Sequence, residues 1–370
     1  MPDSIRVLVV DDSAVARRAV SEALSHDPEI EVVGSASNGN VAVERIKELN
    51  PDVLILDIEM PELNGFELLK ALRISYPKIR TIMFSSLTQR GAFQTIEALS
   101  LGASDYVSKP TSVHGKGYGE GIQRIAAELI PKIKQFRSDF SNAKRLKNEK
   151  EEKLSVSSFS ISSLNSGRTK VQVVPKIVAI GISTGGPEAL SMLLPKLSPA
   201  FPVPIVIVQH MPPLFTRLLA ERLDWNAEIK VVEGFEGMSL EPGVAYIAPG
   251  DYHMVVQQRA KGMVISLNQK RPENSCRPSA DVLFRSVAAA YGPNALGVIM
   301  TGMGNDGLLG LRAMKEKGAL IFAQDQESSV IWGMPSFVVQ EGLADRVVSL
   351  SQMAPAIEGT IVSRVMAPSP

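Results

Sequence analysis

PDVLILDIEMP, residues 51–61, opens on a proline, runs through four apolar residues and ends that run on a carboxylate, Asp57. Other apolar runs surround it: IRVLVV at 5–10, EVVGSA at 31–36, RTIMFS at 80–85 and DYVSK at 105–109. Helix-period stretches such as SAVARRAVSEALS (13–25) and GFELLKALR (65–73) separate them. Strands alternating with amphipathic helices predict a parallel sheet covered on both faces. Ile122, Ile125, Ala126, Leu129, Ile133 and Phe136 mark one face of a further helix that closes this first unit.

The character then changes. Residues 138–172 are polar, serine-rich and poor in large apolar side chains. They read as a linker, too long for a loop inside a compact domain. The strand–helix rhythm resumes with KIVAIGISTGGPEAL (176–190), VPIVIVQH (203–210), ALGVIMTG (295–302) and ALIFAQD (319–325). IKVVEG, VAYIAPG, MVVQQ and MVISL read as hairpin arms, which predicts an antiparallel edge on a second α/β sheet. The expected organisation is a first domain over 1–137, a flexible linker over 138–172 and a second domain over 173–370.

The chain has 370 residues, is 45% hydrophobic and balances 39 basic against 39 acidic side chains. Residues 1–137 carry 16 basic and 18 acidic side chains, and residues 173–370 carry 16 and 17. Neither half is basic, so nucleic acid is not an expected partner. A single cysteine, Cys276, excludes an intrachain disulfide and any multi-cysteine metal site. No apolar run approaches the ~20 residues of a membrane span, and MPDSIRVLVV lacks a signal-peptide pattern. A cytoplasmic protein, not embedded in a membrane and monomeric, is the expectation.

Asp11 and Asp12 directly follow the strand RVLVV, and Asp57 ends DVLIL. At the carboxyl ends of neighbouring strands three carboxylates repel one another unless a cation joins them. All-oxygen ligands suit Mg²⁺. Lys109 ends the last strand and can neutralise an added phosphate; Ser85 can donate to a phosphoryl oxygen. Asp12 or Ser13 alone reads equally well as a helix N-cap. VVDDS, LDIEMPELNG and YVSKP, over roughly residues 4–128, resemble the two-component receiver family. That resemblance implies a flavodoxin-like domain with a five-stranded parallel sheet. It also implies phosphorylation of Asp57 by a histidine kinase, Mg²⁺ held by Asp11, Asp12, Asp57 and the Glu59 carbonyl, and a switch pair of Ser85 and Tyr106.

In the second half, Gly181-Ile-Ser183-Thr-Gly185 fits G-x-S-x-G between a strand and a helix, a turn that projects a serine hydroxyl. A plain N-cap serine is the competing reading. A nucleophilic serine needs a base. His26 falls at a helix end, His114 among glycines, and His253 reads as structural or rim-lining, whereas His210 ends VPIVIVQ and can share a sheet edge with Ser183. Asp306, in ALGVIMTGMGNDG, is the candidate carboxylate to orient it. The order Ser183, His210, Asp306 is not that of the α/β-hydrolases, so the elbow does not imply that fold. Gly302-Met-Gly304-Asn-Asp-Gly307, with Asp325 beyond it, also satisfies a dinucleotide fingerprint, but Asp306 sets a carboxylate where a pyrophosphate would lie. Cys276, in SCRPSAD, has neither elbow nor neighbouring histidine in the sequence and reads as an unreactive thiol.

GISTGGP, QHMP, YIAPGD, RPSADVLF and TGMGNDG, over roughly residues 175–365, resemble the chemotaxis receptor methylesterase (CheB) family. The resemblance implies a doubly wound α/β catalytic domain with Ser183 as nucleophile, His210 as base and Asp306 as orienting carboxylate. Thr184 and Met303 fall where that family shapes its site, with backbone N–H groups available for an oxyanion hole. It further implies hydrolysis of glutamate γ-methyl esters, and deamidation of certain glutamines, on chemoreceptors, with no cofactor for the ester hydrolysis. The alternatives are a response regulator with a DNA-binding output or a non-catalytic receptor-binding scaffold. The first wants a short basic module, which residues 173–370 are not.

Overall fold

A computed structural model describes residues 4–86, 88–109, 118–137, 174–260 and 262–365. The proposed linker and His114 lie outside them.

The first unit runs β1 (Ile5–Val10), α1 (Ala14–Leu24), β2 (Ile30–Ala36), α2 (Gly39–Leu49), β3 (Val53–Leu56), α3 (Gly65–Ser75), β4 (Arg80–Ser85), α4 (Gln89–Ser100), β5 (Asp105–Ser108) and α5 (Tyr118–Lys134). Its sheet is parallel in the order β2-β1-β3-β4-β5. Each early helix begins where a side chain satisfies free backbone N–H groups. Ser13 caps α1 and Asn38 caps α2; Asn64 and Glu67 form a reciprocal capping box at α3, and Thr88 caps α4. The strand order reverses between β1 and β3, the crevice where open α/β sheets bind ligands. Asp11 and Asp57 leave those two strands.

The second unit runs β6 (Ile177–Ile182), α6 (Gly186–Leu193), β7 (Ile205–Gln209), α7 (Pro213–Asn226), β8 (Lys230–Glu233), β9 (Val244–Ile247), β10 (His253–Arg259), β11 (Gly262–Asn268), α8 (Ala280–Tyr291), β12 (Ala295–Ile299), α9 (Leu308–Glu316), β13 (Leu320–Gln324), α10 (Met334–Gln340), β14 (Arg346–Val348) and α11 (Leu350–Val365). Seven strands form a parallel sheet in the order β14-β13-β12-β6-β7-β9-β8. The antiparallel edge is the β10–β11 hairpin, which forms its own two-stranded sheet. β8 and β9, expected as hairpin arms, pair in parallel instead. Their connection crosses to β11, where Ser239 bridges Val264 and the Leu240 amide donates to Met263, and then returns, so both strands keep one direction. β6 lies between β12 and β7, which places the ends of all three side by side.

The two units touch. α4 packs on α6 and α7, and one continuous set of buried apolar side chains runs from Leu68, Ile96 and Leu99 to Leu190, Leu219 and Leu223. The Tyr106 ring stacks on Phe215, with centroids 4.6 Å apart and planes 16° from parallel.

Candidate active site

Ser183 follows β6 directly, and the chain must turn at once into α6. Gly185 makes that turn at φ 79°, and a Cβ there would meet Val330 at 2.6 Å. Gly186 is as constrained, because a Cβ would lie 1.8 Å from Gln209 Oε1. Only glycine fits both positions. The turn is pinned from three sides: the Ser183 amide donates to the Thr301 carbonyl, Gln209 Nε2 to the Ser183 carbonyl, and Thr301 Oγ1 to the Thr184 carbonyl. Among the described residues, the Thr184 and Met303 amides donate to no protein acceptor, as an oxyanion site requires.

His210 follows β7 and Asp306 lies in the loop after β12, so all three predicted residues meet at the carboxyl edge of adjacent strands. His210 Nε2 is 2.8 Å from Asp306 Oδ2. Asp306 is 2% exposed and accepts from five groups: His210, Asn274 Nδ2, Ser279 Oγ and the Ala280 and Asp281 amides. Burial opposes its charge, but these donors hold its pKa down to about 2. An ionised carboxylate only accepts, so His210 Nε2 carries a hydrogen, and in the neutral imidazole Nδ1 carries the lone pair. Burial disfavours the imidazolium, yet Asp306, with Cys276 beside it, outweighs that and holds the His210 pKa above its ordinary value.

Ser183 and His210 line one cleft of about 350 Å³ together with Thr184, Cys276 and Met303. They make no direct hydrogen bond in this arrangement; His210 Nδ1 instead faces Cys276 Sγ, at 3.6 Å. The expectation that Cys276 lacks a histidine is therefore corrected: its neighbour comes from β7, 66 residues away. Asn274, Ser279 and the loop 274–278 are further site residues that sequence reasoning missed. Left-handed φ values at Asn274 (50°) and Ser275 (62°) hold that loop in place, but nothing in SCRPSAD signals it. His253 is buried and donates from Nε2 to the Arg271 carbonyl, which accords with its structural reading rather than a rim position. His26 sits at the end of α1, against the Ala23 carbonyl. In the dinucleotide-like loop Asp306 binds His210 rather than leaving room for phosphate, and Asp325 caps its own turn through Ser328.

The other wall of the cleft comes from the first unit: Asp105, Tyr106, Lys132 and Gln135. Asp105 Oδ2 accepts from Thr184 Oγ1 at 3.0 Å, so the first unit grips the residue next to Ser183.

At the crevice of the first unit, Asp11 and Asp57 are buried, and Lys109 Nζ lies 2.8 Å from Asp11 and 2.9 Å from Asp57. Burial is the main cause that raises the Asp57 pKa to about 6, against the pull of Lys109. Carboxylate oxygens of Asp11, Asp12 and Asp57 lie within 4.8 Å of one another. An all-oxygen set, with one lysine shared by two buried carboxylates, fits a hard divalent cation of the Mg²⁺ type. Ser85 is buried and donates to the Gly91 carbonyl. The Glu59 side chain turns to Arg90, 3.2 Å away. Ser13, not Asp12, is the N-cap of α1.

Residues 178–357 match the family model of the CheB methylesterase, and residues 7–114 that of the response regulator receiver domain. A protein of Trichodesmium erythraeum named protein-glutamate methylesterase/protein-glutamine glutaminase is 46% identical over 358 residues, covering 95% of this chain and 97% of that protein. A Thermotoga maritima protein of the same name is 43% identical over 343 residues, 93% of this chain and 94% of its own length. The crystal structure of the Thermotoga maritima CheB methylesterase catalytic domain aligns with a TM-score of 0.49 at 42% identity, covering 50% of this chain and 98% of that one. The response regulator domain of Thermotoga maritima CheB aligns with a TM-score of 0.33 at 46% identity, over 36% of this chain and 97% of that one. No helix among the described residues is long and apolar enough to cross a membrane.

Proposed function

The chain belongs to the CheB methylesterase family, and from that membership we propose that it is a phosphorylation-gated hydrolase of glutamate γ-methyl esters, and of certain glutamine amides, on chemoreceptors. The observation that carries the reading is the 2.8 Å bond from His210 Nε2 to Asp306, made at the strand edge that also presents Ser183. Asp306 fixes the tautomer, and the Nδ1 lone pair takes the Ser183 proton as Oγ attacks the ester carbonyl. The tetrahedral oxyanion accepts from the Thr184 and Met303 amides. Methanol leaves, or ammonia from an amide, taking its proton from His210 Nδ1. Water, deprotonated by the same nitrogen, then releases the glutamate.

A histidine kinase supplies the phosphoryl group to the Asp57 carboxylate. Asp11, Asp12, Asp57 and the Glu59 carbonyl would hold Mg²⁺, which would supply positive charge against the negative charge gathered there. Lys109 and Ser85 then contact the phosphoryl oxygens, and Tyr106 links that site to the cleft. With Asp105 on Thr184 and Tyr106 on Phe215, the unphosphorylated receiver covers one side of the nucleophile and denies it to a bulky receptor helix. Residues 138–172 tether the two domains.

The test is methanol release from methylated receptors. Ser183→Ala lowers it on the order of 10³-fold or more while circular dichroism stays native. Near-wild-type turnover by a clean Ser183→Ala preparation refutes the assignment.

A further inference from the structure

His210 Nδ1 and Cys276 Sγ face each other at 3.6 Å. A tetrahedral Zn²⁺ has bonds of ~2.0 Å to imidazole nitrogen and ~2.3 Å to thiolate, which sets those two ligand atoms about 3.5 Å apart. The Nδ1–Sγ separation thus matches that of two ligands on one such ion. The tautomer is also right. Asp306 accepts the Nε2–H hydrogen bond, leaving the Nδ1 lone pair of the neutral imidazole on the Cys276 side, and a carboxylate behind a ligating imidazole is the usual outer partner of a zinc-bound histidine. Asp306 is not itself a free ligand. Its Oδ1 accepts from Asn274, Ser279 and the Asp281 amide, and its Oδ2 from His210 and the Ala280 amide. The remaining coordination positions therefore belong to water, and the structure provides the room. His210 and Cys276 line both the 350 Å³ cleft that holds Ser183 and a second cleft of about 590 Å³, bounded by Pro212, Asp251 and Arg277. Among the described residues, those lining that second cleft all come from the second unit.

We propose that His210 and Cys276 form a binding site for a thiophilic divalent cation of the Zn²⁺ class, and that the bound cation switches the hydrolase off by occupying the lone pair of the base. Binding converts the thiol to a metal thiolate and releases its proton to solvent. Soft sulfur and imidazole select Zn²⁺ or Cd²⁺ over Mg²⁺, whose place is the all-oxygen receiver site. The metal site stands on geometry alone; its effect on turnover rests on His210 being the base.

Cys276 is the only cysteine of the chain, so a thiolate-to-metal signal has a single source. Full-length protein is titrated with Cd²⁺ in thiol-free buffer containing excess Mg²⁺, and the ultraviolet thiolate–cadmium charge-transfer band is followed. In parallel, Zn²⁺ is titrated into hydrolysis of a small aryl ester, each variant being scaled to its own metal-free rate. Wild type is expected to develop the band at one equivalent and to lose activity, both reversed by chelator. Cys276→Ser should show no band and need roughly tenfold more Zn²⁺ or more for half-inhibition. His210→Gln, checked for native circular dichroism, should keep the thiol but bind Cd²⁺ at least tenfold more weakly. No band in wild type, equal Cd²⁺ affinity in His210→Gln, or equal Zn²⁺ sensitivity in Cys276→Ser each overturns the bridged site. A band accompanied by undiminished turnover leaves the metal site intact and instead refutes His210 as the base.

Discussion

Replacing Tyr106 by alanine removes the ring that stacks on Phe215 at 4.6 Å and leaves the rest of the domain contact, including Asp105 on Thr184, in place. An aromatic pair of this geometry contributes ~0.5–1.5 kcal/mol beyond its buried area, and the lost apolar contact adds a similar amount, for a total of roughly 1–3 kcal/mol. At 1.4 kcal/mol per factor of ten, the docked-to-open equilibrium shifts roughly 5- to 150-fold toward the open form. The assay is methanol release from methylated receptors by unphosphorylated full-length protein. The rate should rise toward a ceiling set by a protein lacking residues 1–172, because removing the receiver removes the block entirely. Small ester substrates, which enter a partly covered cleft, should gain much less. If the deletion is activated but folded Tyr106→Ala is not, the stack does not hold the docked state. If neither is activated, the receiver does not gate the site at all.

The pH dependence follows from His210. Only the neutral imidazole accepts the serine proton, so turnover rises with pH through the His210 pKa; since Asp306 raises that pKa against the effect of burial, the rise in kcat/KM should centre above the ordinary value of ~6.5. A midpoint at or below that value contradicts the geometry. At the receiver, a small phosphodonor with Mg²⁺ should label Asp57 alone. Asp57→Asn should abolish labelling, and Asp11→Ala should weaken Mg²⁺ binding by removing a hard oxygen ligand. Label persisting on Asp57→Asn would identify another acceptor.

The strand–helix rhythm of both halves was legible in the sequence because a strand buried on both faces must be apolar throughout and end abruptly. The same abrupt ends exposed Asp57, Ser183 and His210, since residues just past the carboxyl ends of parallel strands share one edge whatever their separation in the chain. Asp306 was legible for the same reason, although it lies seven residues past β12, in a loop. Strand direction was not legible where a detour intervened. IKVVEG and VAYIAPG look like hairpin arms, and only the excursion of residues 234–243 across β11 makes them parallel. The surroundings of the triad were equally hidden. Asn274, Cys276 and Ser279 reach Asp306 and His210 through a left-handed loop whose shape is fixed by what it packs against, not by its own composition. So was the meeting of Tyr106 with Phe215 and of Asp105 with Thr184. Periodicity records which face of an element is buried; contacts between distant elements depend on how rigid units fit together, and a single sequence carries no local signal for that fit.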